Sequence, residues 1–171
     1  MLKPISDYIP EIKKFCSSTI IENEEKYKFY NFTSWWNGEE VPTDISEWNT
    51  ISRVSVGDDK VLGYMSADIV RDTLNVSTLR VINFNLNTIS LTFVKDIKKF
   101  IDYLFSVRKF NKLEFKVAVG NPAEKLYDKF IEKYNGRVVG TYTSHIKLID
   151  GKYYDVKLYE VMNPLKVGDN K

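Results

Sequence analysis

A chain of 171 residues, 43% hydrophobic and 28% charged, holds enough apolar material for one core and no surplus for a second, so a single domain is expected. Its 25 Lys and Arg against 23 Asp and Glu leave a net charge of +2, too weak a field to demand nucleic acid or an anionic membrane as partner. The lone cysteine, Cys16, excludes an internal disulfide and a cysteine-based zinc site and suits a cytoplasmic setting; with no run of ~20 apolar residues and no apolar leader after Met1, a soluble protein is expected.

At the front, Ser6 or Asp7 is expected to cap a first helix, with Glu11 in its first turns and Ile9, Ile12 and Phe15 at helical spacing. A second helical stretch is expected near residues 20–30. Over residues 32–49 periodicity lapses, and Trp35, Trp36 and Trp48 gather with Asn37, Gly38 and Pro42. That is the composition of an ordered loop, whose tryptophans are expected to plug the space between the front helices and a sheet; a wall for a substrate is the other use open to them.

Residues 51–56, the polar turn Gly57-Asp58-Asp59-Lys60 and residues 61–70 read as an antiparallel hairpin. After the turn Arg71-Asp72-Thr73, a strand over residues 74–86 carries Val76, Thr78, Ile82, Phe84 and Leu86 on one face and Leu79 and Val81 on the other. Covered on both sides, it reads as central. Phe93, Ile97, Phe100, Ile101, Leu104 and Phe105 then form one helical stripe, and Arg108, Lys109 and Lys112 end that helix where cations suit its dipole.

Residues 113–119 alternate as a short strand that stops at Gly120-Asn121-Pro122. Pro122 suits the first turn of a helix whose stripe is Ala123, Leu126, Tyr127, Phe130, Ile131 and Tyr134, closed at Asn135-Gly136. Residues 137–148 and 152–162 are two long strands around Asp150-Gly151, a hairpin signal. The apolar pattern ends there, which sets the domain at residues 1–162 and a tail at residues 163–171.

This order, with the run Val117-Ala118-Val119-Gly120-Asn121-Pro122-Ala123-Glu124-Lys125-Leu126-Tyr127, resembles the GNAT superfamily of acyl-CoA-dependent N-acyltransferases. The resemblance covers roughly residues 51–162. It implies an α/β (α+β) domain with a mixed, mostly antiparallel central sheet flanked by helices, and acetyl-CoA as cosubstrate. It implies transfer of an acetyl group to a primary amine of a small molecule or protein, and is compatible with a homodimer. Two features depart from the family. Its Gly-rich pyrophosphate loop has no counterpart, since no glycine lies between Gly63 and Gly120, and the step from Asn121 to Ala123 is one residue short. A GNAT-like binding or regulatory module without catalysis is therefore the alternative.

The resemblance also distributes roles. The pantetheine arm would lie between splayed strands, in a slot formed by residues 83–87 and 119–121. Phe84, Asn85, Leu86, Asn87 and Asn121 would hold the cofactor there, with Thr92, Phe93, Val94 and Lys95 at the start of the long helix taking the pyrophosphate. Tyr127 would protonate the leaving thiolate, although it lies equally on an apolar stripe and packing alone would account for it. Asn121 could as well be a helix cap. No general base stands out: Asp68, Asp72, Glu160 and a water relay are all open. His145 is expected to serve structure rather than catalysis, and Cys16 to pack in the core. No metal site is expected.

Overall fold

Two consecutive left-handed residues, Asp58 (φ 49°) and Asp59 (φ 56°), close the first hairpin. This turn geometry matches the twist of the strands it joins. In the computed structural model, which describes residues 1–16, 28–29, 46–85, 88 and 90–166, the strands are β1 (Leu2–Pro4), β2 (Thr50–Gly57), β3 (Lys60–Val70), β4 (Asn75–Asn83), β5 (Lys112–Ala118), β6 (Arg137–Lys147) and β7 (Tyr153–Met162). The helices are α1 (Ile9–Lys14), α2 (Leu91–Asp102) and α3 (Glu124–Lys133). Nearly all of the helix expected near residues 20–30, together with Trp35, Trp36, Leu86 and Asn87, lies outside the described residues.

The strands form one sheet in the order β1-β2-β3-β4-β5-β7-β6. Every pairing is antiparallel except β4 with β5, which is parallel. The architecture is thus the mixed, mostly antiparallel sheet flanked by helices that the sequence led us to expect. One face packs α2 and α3 over Ile51, Met65, Leu79, Phe115 and Val117, with Phe93 and Phe100 as its largest buried rings from α2. The other face packs Ile5, Ile12, Phe15 and Cys16 over Val54, Tyr64 and Ile82. Gly63 permits the closest approach: a Cβ there would lie 2.4 Å from the Ile82 carbonyl oxygen and 2.5 Å from the Phe93 ring. No described helix is long and apolar enough to cross a membrane.

Several boundaries differ from expectation for local reasons. Neither Ser6 nor Asp7 caps α1; the Ser6 hydroxyl donates to Asp7, and a 3-10 turn over Ile5–Tyr8 leads into a helix with Pro10 in its first turn. In β4, Asp68 faces Thr78 while Ile69 faces Val76, which leaves Ser77 as an extra residue. This bulge reverses the alternation, so Val76 joins Leu79 and Val81 in the α2-side core instead of sharing the face of Ile82. β4 also ends at Asn83, three residues short of Leu86, because the Asn83 side chain bonds to the Asn85 and Thr88 carbonyls and turns the chain away.

Trp48 plugs nothing. It is 61% exposed and lies under the Arg71 guanidinium, 4.5 Å from the ring centroid. Arg108 and Lys112 do more than complement a helix end: Arg108 pairs with Glu47 at 2.9 Å, and Lys112 with Glu114 and Glu160. α2 runs on through a π-helical turn over Tyr103–Val107. The left-handed residue closing α3 is Asn135 (φ 51°) rather than Gly136, and Asn163, set at the head of the tail, is buried and donates to the Phe105 and Phe110 carbonyls.

Candidate active site

The parallel ladder between β4 and β5 consists of Asn75 with Lys112 and Val76 with Leu113. Above those pairs the strands diverge, and alternation fixes which peptide groups are left facing the gap. The Phe84 N–H donates to Leu62 on β3, so in this antiparallel register Ile82 and Arg80 also bond to β3, and Leu79, Val81 and Asn83 point the other way. On β5 the Val119 N–H donates to Asp155 on β7, which leaves Lys116 and Ala118 directed across the gap. The slot is therefore lined by main chain of residues 79–83 and 116–118. It lies deeper than the expected positions: the Phe84 and Val119 amides are already bonded to neighbouring strands, and the Asn85 amide to the Asn83 side chain.

A cavity opens on each side of the splay. The one on the helix side is about 480 Å³ and lined largely by apolar groups, among them Val94, Ile97, Phe115, Leu126 and Phe130. The other is about 300 Å³ and more polar, bordered by Thr78, Arg80, Lys116, Asn121 and His145. Leu79, Val81, Ala123 and Tyr127 line both. These four residues wall both spaces.

Tyr127 holds this position because α3 is pinned at its start. Glu124, in the first turn, accepts from the Gly120 N–H at 3.1 Å and pairs with Lys157 of β7. The Lys157 ammonium, then the Gly120 amide, hold its carboxyl below the usual range. The Tyr127 ring packs edge-on against Phe115 at 5.1 Å and Tyr159 at 6.0 Å. Its hydroxyl makes no hydrogen bond to a described residue, and burial pushes its pKa up to about 12. Tyr127 is thus at once part of the packed stripe and the only hydroxyl-bearing residue common to the linings of both cavities. A neutral phenol so placed can donate to a thiolate across a wide pH range.

Asn121 is a cap: its Oδ1 accepts from the Ala123 N–H at 2.9 Å. It borders the polar cavity rather than the apolar one. At the start of α2, Ser90 caps the helix by accepting from the Thr92 N–H at 3.2 Å. Thr92, Val94 and Lys95 are exposed there, whereas the Phe93 side chain is 1% exposed and belongs to the core. Phe84 stacks on Phe15 with ring centroids 3.8 Å apart, so its side chain serves the front layer. Exposed first-turn amides and a lysine can still donate to phosphate oxygens.

The candidate bases fall elsewhere. Asp68 is engaged by Arg80 at 2.7 Å, Asp72 sits in the exposed turn before β4, and neither lines a cavity. Glu160 is caged by Arg137 and Lys112; burial alone would raise its pKa, but those two hydrogen bonds outweigh it and the net shift is downward. Cys16 is buried, and desolvation pushes its thiol up to about 12, which keeps it protonated at neutral pH. His145 is exposed on β6 and borders the polar cavity. Among the described residues no group of three His, Cys, Asp or Glu could hold a metal ion.

What the sequence pattern did not point out is the main chain of Leu79, Val81 and Lys116, and the cationic side chains Arg80 and Lys116 beside it. Strand alternation puts both side chains opposite the apolar core face, and that was the available signal.

No family model matches the chain, and no curated protein matches it by sequence. Its shape is widely shared among solved structures. The spermidine N-acetyltransferase of Vibrio cholerae in complex with CoA and spermine is 18% identical with a TM-score of 0.73, covering 95% of each chain. The manganese complex of spermidine/spermine N-acetyltransferase SpeG from Vibrio cholerae is 17% identical with a TM-score of 0.69, covering 100% of this chain and 96% of that one. A dodecameric structure of the Vibrio cholerae spermidine enzyme is 19% identical over 74% of this chain and 72% of that one, with a TM-score of 0.61. With the splayed central strands and the cavities on either side of them, this likeness shows that the chain has the fold of these acetyltransferases, a GNAT-like fold.

Proposed function

We propose that the protein is an N-acetyltransferase that moves an acetyl group from acetyl-CoA to a primary amine of a small molecule or protein. The observation that carries this reading is Tyr127, lining both the apolar and the polar space at the splay of β4 and β5. The helix-side cavity suits the pantetheine arm and thioester, the polar cavity the incoming amine. The neutral amine attacks the thioester carbonyl carbon, so a C–N bond forms and the C–S bond breaks. The peptide N–H groups of Leu79, Val81 and Lys116, which face the slot, polarise the carbonyl oxygen. Tyr127 gives its proton to the departing sulfur, the proton released by the amine passes to water, since none of Asp68, Asp72 and Glu160 borders the cavity, and water returns a proton to the phenolate.

The test is titration with acetyl-CoA and with CoA while thermal unfolding is followed. Ligand at 100 times its Kd adds about 2.7 kcal/mol of stability. No shift with either at millimolar concentration refutes the proposal. The absence of glycine between Gly63 and Gly120 favours a second reading, a binding or regulatory module with the same fold. Stabilisation by CoA without turnover of any amine would select it.

A further inference from the structure

The polar cavity is unusual in the sign of its wall. Arg80 on β4 and Lys116 on β5 stand on the two lips of the splay, both on the face opposite Leu79, Phe115 and Val117. The Arg80 Nη1 is ion-paired with Asp68 at 2.7 Å, and this buried atom makes no hydrogen bond to a described residue. The Lys116 ammonium lies 5.6 Å from the centroid of the Tyr142 ring, which stacks on His145 at 4.7 Å.

His145 reaches this wall through a second bulge. Tyr142 faces Val156 and Ile146 faces Tyr154, so the single residue Asp155 opposes Thr143, Ser144 and His145. Ser144 is left-handed (φ 46°), and its N–H donates to the Asp155 carboxylate at 2.8 Å. Bulges of this kind re-aim a side chain. No described residue lining the cavity is a carboxylate, while Ile82, Ile146 and Val156 supply apolar surface.

A polycationic acceptor would meet like charge here, whereas guanidinium and ammonium donors bind anionic oxygens strongly. On the acetyltransferase reading above, we infer that the acceptor carries, beside its amine, an anionic group, a carboxylate or a phosphate, which Arg80 and Lys116 bind. The same cations disfavour protonation of the bound amine. This helps to hold the neutral form that attack requires, where no carboxylate base is in place.

The test measures thiol release from acetyl-CoA with leucine, leucinamide, O-phosphoethanolamine and spermidine. Leucine or O-phosphoethanolamine is expected to exceed leucinamide and spermidine by about tenfold or more in kcat/KM, and whichever leads identifies the anion. Lys116→Met, at an exposed position, and Arg80→Met are expected to erase that preference through the acceptor KM while the KM for acetyl-CoA stays unchanged. Leucinamide or spermidine turned over as well as the anionic amines, or a preference untouched by Lys116→Met, overturns the inference. Calorimetric titration of leucine against leucinamide separates it from the acetyltransferase reading. Tighter binding of leucine, or of O-phosphoethanolamine in a parallel titration, supports the anion subsite even if nothing is acetylated, and binding of both no tighter than leucinamide overturns it.

Discussion

Replacing Tyr127 by Phe removes one oxygen and keeps the ring, so it separates chemistry from packing. The contacts with Phe115 at 5.1 Å and Tyr159 at 6.0 Å persist. Because the hydroxyl bonds to no described residue, its loss strands no partner, and folding stability should change by less than about 1 kcal/mol. A positioned general acid contributes roughly 10²–10⁴-fold to rate. The variant should therefore lose at least about 100-fold in kcat, equivalent to about 2.7 kcal/mol of transition-state stabilisation, with CoA affinity unchanged. The raised pKa has a consequence of definite sign: an acid held up to about 12 keeps its proton through the alkaline range, so no loss of kcat due to Tyr127 ionisation should occur until pH approaches that value. Tyr159→Phe is the control. Its hydroxyl donates to Asp128 at 2.9 Å, so this change should cost about 1 kcal/mol in urea unfolding and leave kcat alone. Wild-type kcat in Tyr127→Phe, or a loss of activity that merely follows a loss of stability, would refute the role given to the phenol.

Glu160→Gln removes the carboxylate shared by Lys112 and Arg137 and should cost roughly 1–3 kcal/mol at pH 7 in denaturant unfolding. Arg137 and Lys112 hold the folded Glu160 carboxyl below the usual carboxylate range, so its contribution is present above the unfolded pKa and fades as pH falls through the folded pKa; the gap between wild type and variant should close under acid, and a gap constant with pH would contradict the assignment. Gly63→Ala places a methyl 2.4 Å from the Ile82 carbonyl and 2.5 Å from the Phe93 ring. It should destabilise by about 1–3 kcal/mol or more, and a neutral melting temperature would show that α2 shifts easily on the sheet.

The elements that periodicity made legible are those packed on one side. The stripe of Phe93, Phe100 and Ile101 and the strand around Phe115 and Val117 emerged where the pattern placed them, because burial of one face is what writes the pattern. The errors lie where one residue breaks a period. Ser77, the extra residue in β4, carries no composition signal, yet it moves Val76 to the other face. Around His145 two extra residues enter instead of one, Thr143, Ser144 and His145 standing against Asp155 alone, and nothing in the sequence marks the break. Trp48 misled because large aromatics usually pack inward; here its ring lies against Arg71 at the surface instead.

The slot itself has a further reason to be hard to read. Its floor is main chain, offered by the alternate residues Leu79, Val81 and Asn83 on one side and Lys116 on the other. Any side chain compatible with a strand can stand at those positions, since it is the peptide N–H and C=O that face the gap. What must be kept is the divergence of two neighbouring strands after two paired residues, Asn75 with Lys112 and Val76 with Leu113. That requirement falls on topology and on helices wedged over the sheet, not on a string of residues. On the acetyltransferase reading it also shifts the weight of the missing glycine loop: a slot built from strand backbone would survive the loss of a glycine signature, and only the pyrophosphate contact proposed at the start of α2 would depend on what replaced it.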